Sequence, residues 1–330
     1  MVLACVGANL TLVEPNDQVL PQLKALFQKF GVTERIAALV PEGIDTFESD
    51  KIYDIVLAEG FLFTLPNRDA MVQKICRMLK PGGLAVISFN DRYGCLLEMT
   101  RRMVLWRAYQ IQGIGNVHSQ ASLYLAEKLY GEDFSQLKAS RSFEAWWKDT
   151  LINPFLASAY HWSYPELIPL MEKSGCEFYA SSPKWTSIDR FTWYKNVLDS
   201  SMRHQQLIES FRLNFAFLLT GLEPLTEEVL PASFAVIDAV ANLIERLSDF
   251  TVNRGIPIES VVYPSLLDEY LNQSQDSRLV QFNLEMKSIY DAAKSSQLEQ
   301  LISAYHESKC VRSMWGAPYH YICFSKVAYS

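Results

Sequence analysis

The chain has 330 residues, of which 49% are hydrophobic, so it can bury the core of one large domain or of two modest ones. Its formal net charge of -7 lacks the basic excess typical of proteins that bind nucleic acid. No apolar run of about 18 residues marks a membrane span, and the first residues lack the basic and apolar regions of a secretory signal. We therefore expect a cytoplasmic protein without a membrane partner, and nucleic acid is a disfavoured partner.

Six cysteines are spread along the chain without a CxxC pair: Cys5, Cys76, Cys95, Cys176, Cys310 and Cys323. Several of them lie in apolar helix or strand patterns. Their spacing favours neither a disulfide framework nor a thiolate metal site. We predict buried, reduced thiols and no metal centre.

The first ninety residues alternate between short apolar runs and helical patterns. The run at 84–89 is apolar throughout, as expected for a strand that is covered on both faces. Strands that alternate with helices indicate a parallel α/β sheet with right-handed crossovers. The predicted strands are 9–13, 35–40, 53–57 and 84–89, and the predicted helices are 18–30, which Gly31 ends, and a helix that Asn67 can cap.

The rest of the chain is mostly helical, with two returns to the sheet pattern. Helical patterns fill most of 92–147 and 187–314, whereas a helix at 164–173, a strand at 176–180 and a β-prone run at 319–327 resume the α/β pattern. We predict one α/β domain with two helical insertions. The predicted division is a core at 1–90, an insertion at 91–163, a return to the core at 164–186, an insertion or subdomain at 187–315 and a final core strand at 316–330.

An acidic residue, Glu14, directly follows the first predicted strand in the stretch NLTLVEPND. Ligands of open α/β sheets bind at the carboxyl ends of the strands, and a carboxylate there can accept hydrogen bonds from a ribose diol. Glu14 could equally be a solvated acid at the start of a helix, where the helix dipole favours negative charge. The sequence leaves both interpretations open.

The segment LKPGG at 79–83 joins a predicted helix to a buried strand through a turn that needs glycine. With the preceding YDIVLAEG and NLTLVEP, it resembles the class I S-adenosylmethionine-dependent methyltransferases over residues 4–89. The resemblance implies an α/β fold, a Rossmann-like methyltransferase sheet that carries the two largely helical insertions. NLTLVEP, YDIVLAEGFLFTLPN and LKPGGLAVISFND correspond to its second, fourth and fifth strands. CEFYA and YHYICFSKV correspond to the sixth and seventh, with the seventh antiparallel beside the sixth.

The resemblance also implies S-adenosyl-L-methionine as the cofactor and places residues around it. The candidates are Glu14 and Pro15 for the ribose, Gly43 and Ile44 for the adenine, and Glu59, Gly60 and Phe61 for the methionine part. The isoleucine and the phenylalanine could instead be ordinary packing residues.

The glycine-rich loop of that family, and the strand before it, have no counterpart in this sequence. Only Gly7 precedes the acidic strand, and VLACVGAN corresponds to the end of the helix that follows the loop. Because the loop lets the backbone approach the cofactor, we expect transfer to be impaired. The neighbours of the central first strand would also keep unpaired edges. A truncated or misassigned start is the favoured explanation, and a variant completed from elsewhere and a degenerate fold are the others.

Methyl transfer from a sulfonium is an in-line displacement that depends on positioning and on the exclusion of water. It needs a general base only when the acceptor must lose a proton. The first insertion begins directly after the fifth strand, so Asp91 and Tyr93 could face the acceptor. His161, in AYHWSYPEL, is the candidate base, although a histidine beside Trp162 could equally be a packing residue.

Aromatic residues in the second insertion could form a lid, an acceptor pocket or the face of a homodimer, or could simply be core. They are Trp193, Phe211, Phe215, Phe217 and Phe234. The acidic charge and the apolar insertions favour a small-molecule acceptor, such as a sugar or another natural product.

Two other classes of protein stay open. A nicotinamide-dependent dehydrogenase also places an acid after its second strand, but it needs a GxGxxG loop upstream. A noncatalytic binding or scaffold protein on a degenerate methyltransferase fold would explain the missing loop.

Overall fold

The computed structural model of the chain describes residues 1–137, 139–184, 200–223, 225, 229–252 and 255–327. The strands are Leu10–Val13 (β1), Ile36–Val40 (β2), Tyr53–Ala58 (β3), Leu79–Asn90 (β4), Cys176–Ser182 (β5) and Tyr319–Lys326 (β6). The helices before β5 are Val2–Cys5 (α1), Leu20–Lys29 (α2), Arg68–Arg77 (α3), Leu96–Gln112 (α4), Gln120–Ser135 (α5), Phe143–Trp146 (α6) and Tyr164–Lys173 (α7). Those between β5 and β6 are Ser200–Leu213 (α8), Phe215–Thr220 (α9), Phe234–Thr251 (α10), Ser265–Asn272 (α11), Ser277–Ala293 (α12), Leu298–Glu307 (α13) and Lys309–Ser313 (α14).

The strands form two separate sheets. β1 and β2 pair in parallel, and the other four follow the order β3-β4-β6-β5. β3 is parallel to β4, whereas β6 runs antiparallel to both β4 and β5. This mixed α/β arrangement confirms the Rossmann-like fold expected from the sequence, including the antiparallel final strand.

The predicted elements of the α/β part are all present. The helix at 164–173 has the predicted bounds, and the strands differ from prediction by a few residues at their ends. Asn67 does precede α3, but its side chain makes no capping hydrogen bond. None of the helices in the described part of the chain combines the length and apolar character that a membrane span needs.

The LKPGG segment is not the simple turn that the sequence suggested, because β4 runs through it. Tyr53 lies opposite Leu79 and Ile55 lies opposite Leu84, so the register shifts at this bulge. A Cβ at Gly83 would lie 2.9 Å from the carbonyl oxygen of Lys80 and 3.0 Å from that of Tyr53. The bulge therefore fits only glycine at this position.

The two sheets are not joined by strand pairing in the described part of the chain. Within the described residues, β1 pairs only with β2 and β3 pairs only with β4. Ile55 and Leu57 on β3 are 47% and 48% exposed, although strand residues of this kind are usually covered. This is the open edge expected for a sheet without its central strand. Lys74 on α3 links the two parts, since its Nζ donates to the carbonyl oxygen of Asp45 after β2.

The helical segments pack through buried aromatic residues. Trp146 and Trp147 are 3% and 1% exposed, so both belong to the core. Phe211 and Phe215 are also buried, and Phe217 is partly buried. By contrast, Phe234 is 60% exposed, and Trp193 lies outside the described residues. The residue bounds of the two helical insertions stay a prediction from the sequence.

We predict that Gly83→Ala lowers the free energy of unfolding by about 1–3 kcal/mol, because the added methyl group overlaps backbone carbonyl oxygens. Gly131→Ala is the matched control. Gly131 lies inside α5 with nothing near an added Cβ, so this change should stabilise the protein by about 0.5–1 kcal/mol. Urea unfolding of both variants provides the test. Equal effects of the two substitutions would contradict the close approach at Gly83.

Candidate functional site

The carboxyl ends of β3 and β4 meet in a small hydrogen-bonded cluster of Gly60, Ser88 and Tyr319. The amide of Gly60 donates to the Ser88 Oγ at 2.7 Å, and that oxygen lies 2.6 Å from the Tyr319 hydroxyl. Tyr319 reaches this position because it pairs with Asn90 at the end of β4. The cluster fixes the loop that follows β3, while Glu59, Gly60 and Phe61 themselves remain exposed.

Glu14 ends the other sheet. Its amide donates to the carbonyl oxygen of Val40 at 3.0 Å, which continues the pairing of β1 with β2. Its Oε1 accepts from the amide of Asn16 at 2.8 Å. The carboxylate therefore supports the turn before α2, as in the simpler interpretation, and its role toward a ribose stays a prediction. Pro15 is exposed beside it.

The predicted adenine loop follows β2. The carbonyl oxygen of Gly43 accepts from the amide of Phe47 at 2.9 Å and closes a turn. Ile44 is partly buried against the hydrophobic core, which matches its alternative role as a packing residue. Because Val13 pairs with Val40, Glu14 and this loop lie at the same end of the β1–β2 sheet. The 59–61 loop ends the other sheet, so the cofactor candidates form two groups.

Asp91 directly follows β4 and is fully buried. Its Oδ1 accepts from the amides of Tyr93 and Gly94, at 3.0 and 2.8 Å, while its Oδ2 has no partner among the described residues. Burial raises the pKa of this carboxyl to about 7, although the hydrogen bonds from those two amides act to lower it. Asp91 thus orders the turn into α4 and holds a carboxyl that titrates near neutrality.

His161 is fully buried as well, and neither ring nitrogen has a partner in the described part of the chain. Burial lowers its pKa to about 3, and the charges of Arg92, Arg102 and Arg68 act in the same direction. The imidazole is therefore neutral at physiological pH and a weak proton acceptor. Its role as general base stays a prediction, and this environment does not favour it.

Tyr93 is a packing residue in this structure. It is 6% exposed and lies edge-on to Phe211 and Phe215, with ring centroids 5.5 and 5.1 Å away. Burial raises the pKa of its hydroxyl to about 12. It holds the start of the first helical segment against α8 and α9, and a role toward the acceptor stays a prediction.

A polar cavity of about 390 Å³ lies beside this edge, between the start of α3 and the start of α7. Its walls include Asn67, Arg68, Trp162 and Glu166. The sequence did not single out this site, because the two walls are almost a hundred positions apart. Ser88 was also missed, although a serine inside the otherwise apolar run LAVISF was a usable signal.

A second cavity, of about 420 Å³ and mainly apolar, lies among the helices between β5 and β6. Phe217, Tyr270 and Leu279 contribute to its walls. Of the aromatic residues predicted to form a lid, a pocket or a homodimer face, Phe217 is therefore one that lines a cavity.

Comparison with known proteins gives a family match for the first quarter of the chain. Residues 1–87 match the model of the family described as "Methyltransferase domain". No curated protein matches the chain. Among solved structures, PKMT2 from Rickettsia typhi is 15% identical with a TM-score of 0.38, covering 62% of this chain and 41% of that one. The same protein in complex with AdoHcy is 15% identical with a TM-score of 0.36, covering 74% and 44%. The chain thus spans less than half the length of these structures.

We predict opposite pH effects from the two buried titratable groups. In the folded chain, Asp91 keeps its proton up to a pKa of about 7, whereas the unfolded carboxyl loses it near 3.8. Its contribution to the free energy of unfolding is therefore present at low pH and is lost as the pH rises from about 4 to about 7. The pKa of His161 is about 3 in the folded chain, below its ordinary value of 6.5. Its contribution to the free energy of unfolding is therefore present above pH 6.5 and is lost as the pH falls toward 3.

Asp91→Asn tests this assignment, because an amide can still accept from both backbone N–H groups. The difference in stability, variant minus wild type, should rise between pH 4 and 7 by up to about 4 kcal/mol and stay constant above that range. Urea unfolding across this pH range measures it, with the exposed Asp17→Asn as control. A difference that is independent of pH would show that Asp91 is ionised throughout.

Proposed function

We propose that this chain, whose residues 1–87 match the methyltransferase family model, transfers a methyl group from S-adenosylmethionine to a small-molecule acceptor. The observation that carries the proposal is this match, together with a sheet in which β6 lies antiparallel between β4 and β5. The acidic net charge of -7 supports a small acceptor over a nucleic acid, and a sugar or another natural product fits the apolar helical part.

The residues at the carboxyl edge fit the cofactor in two places. Only Oε1 of Glu14 is used by a described residue, so Oε2 remains for a ribose hydroxyl. The 59–61 loop is exposed but fixed from below by Ser88, as a preorganised contact for the methionine part requires. Gly43 and Ile44 would complete the adenine side.

The bound cofactor supplies an electrophilic methyl group, and the work of the chain is to orient the acceptor and exclude water. Trp162 closes the edge from one side, since its amide donates to the carbonyl oxygen of Asn90 at 3.0 Å. Where the acceptor must lose a proton, we assign the base role to Asp91 rather than to His161. Its carboxyl has a pKa of about 7 and an oxygen without a partner among the described residues.

A noncatalytic binding or scaffold protein is the second candidate function. The unpaired edges of β1 and β3 favour it, because they separate Glu14 from the 59–61 loop on different sheets. The expected impairment of transfer rests on the glycine-rich loop that has no counterpart in this sequence, and it stays a prediction. A homodimer through the helical segments and a cytoplasmic location stay predictions.

We predict that S-adenosylhomocysteine binds the 330-residue chain weakly, with a Kd above about 0.1 mM in calorimetry, and that Glu14→Gln weakens it at least about tenfold because a charge-assisted hydrogen bond is lost. Glu34→Gln is the matched control, since Glu34 lies at the opposite end of the sheet, in the turn before β2. It should leave the affinity unchanged.

Each result of this titration separates two candidates. Micromolar binding by the unchanged chain would support the enzyme and remove the predicted impairment. No detectable binding by a chain that circular dichroism shows to be folded would replace the enzyme with the scaffold protein. Equal losses from Glu14→Gln and Glu34→Gln would reject Glu14 as the ribose ligand.

A further inference from the structure

The polar cavity beside the sheet edge contains an arginine with unused hydrogen-bonding capacity. The guanidinium of Arg68 stacks over the ring of Trp162, with its Cζ 4.6 Å from the ring centroid. Its Nη1 is buried and has no partner among the described residues. Burial also lowers the pKa of Arg68, against the opposite effects of Glu166 and Asp69. A partly desolvated cation with a free N–H group favours a negatively charged ligand.

The carboxylate of Glu166, on the cavity wall, does not satisfy this cation. Glu166 accepts from Arg92 through Oε1 at 2.7 Å and from the Ser163 hydroxyl through Oε2 at 2.9 Å. Both of its oxygens are thus in use, and its charge is balanced by Arg92. No carboxylate of the described residues lies within ion-pair distance of Arg68.

The start of α3 adds donors to the same wall. Arg68, Asp69 and Ala70 are the first three residues of this ten-residue helix, and all three line the cavity. Their amides have no acceptor within the helix, and Asn67 supplies no capping hydrogen bond. The positive end of the helix dipole therefore points to the same place as the guanidinium.

The layer behind Trp162 holds further polar atoms without partners. Asp91 forms a backbone β-bridge with Trp162, and His161 precedes Trp162 in the chain. Both Asp91 and His161 are fully buried. Oδ2 of Asp91, both ring nitrogens of His161 and Nε of Arg92 all lack a partner in the described part of the chain. Unsatisfied buried polar groups in such number are unusual for a packed core.

We propose that this cavity binds an oxyanion, a carboxylate or a phosphate group of the methyl acceptor, with Arg68 and the first amides of α3 as its donors. The identification with the acceptor rests on the proposed function, since the cavity lies beside the carboxyl end of β4. Binding of the anion itself does not depend on it. Asp69, the exposed carboxylate in the first turn, opposes the anion and so provides a variant with the reverse effect.

The test is calorimetric titration of the full chain with inorganic phosphate and, separately, with acetate, at constant ionic strength and without cofactor. Arg68→Gln should weaken binding of the preferred anion at least about tenfold, because it removes a charged donor. Asp69→Asn should tighten it about two- to fivefold, because it removes a like charge. Arg77→Gln is the matched control: Arg77 is exposed at the other end of α3 and should leave the affinity unchanged. The anion that binds more tightly identifies the group as phosphate or carboxylate.

Absence of binding of both anions to wild type would overturn the proposal, and so would equal behaviour of the Arg68 and Arg77 variants. The reverse effect of Asp69→Asn keeps the test decisive even where Arg68→Gln is poorly folded. Phosphate or acetate binding without any binding of S-adenosylhomocysteine would keep the anion site and reject the methyltransferase. Binding of S-adenosylhomocysteine without binding of either anion would keep the methyltransferase and reject the anion site.

Discussion

The structure depends on β4, the longest of the described strands, which is paired along both of its edges in the larger sheet. β4 pairs in parallel with β3 along one edge and antiparallel with β6 along the other. Because β6 is antiparallel to β4, β6 starts where β4 ends. The chain therefore leaves the sheet at Asp91 and comes back to the same end of the sheet at Pro318, and β5, which lies between these two points of the chain, is part of the same sheet. The amide of Asp91 donates to the carbonyl oxygen of Pro318 at 2.7 Å, which ties the two ends of that long excursion together. A Cβ on Gly94 would overlap the carbonyl group of Ala317, so the backbones meet in direct contact there.

The α/β elements could be predicted because they follow from local chemistry. Continuous apolar runs mark buried strands, and Glu14 and Asp91 stand where such runs end. The LKPGG bulge was not predictable in the same way, because proline and glycine signal a turn whether or not the flanking residues stay paired. Only the neighbouring strand decides this. The carbonyl oxygens of Tyr53 and Asp54 lie so close to Gly83 that the segment is part of the sheet.

The candidate site was less predictable, since its properties come from burial rather than from residue type. The sequence offers a histidine and an aspartate near the sheet edge but not their desolvation. Burial pushes the pKa of His161 down to about 3 and that of Asp91 up to about 7, which reverses their expected order as bases. The cavity around Arg68 depends on an even less local fact, the approach of Trp162 from a distant segment. No spacing rule along the chain encodes that contact.

The division into two sheets gives ligand binding a particular consequence. Glu14 belongs to the β1–β2 sheet and the 59–61 loop to the other, and the two are linked by contacts such as that of Lys74 with Asp45 and Glu48. Of this link, the Lys74–Glu48 ion pair has one highly exposed partner, so it contributes little to stability. A cofactor that contacts both groups would add its binding free energy to the stability of the folded chain. For such a cofactor, binding and the joining of the two sheets would be a single equilibrium.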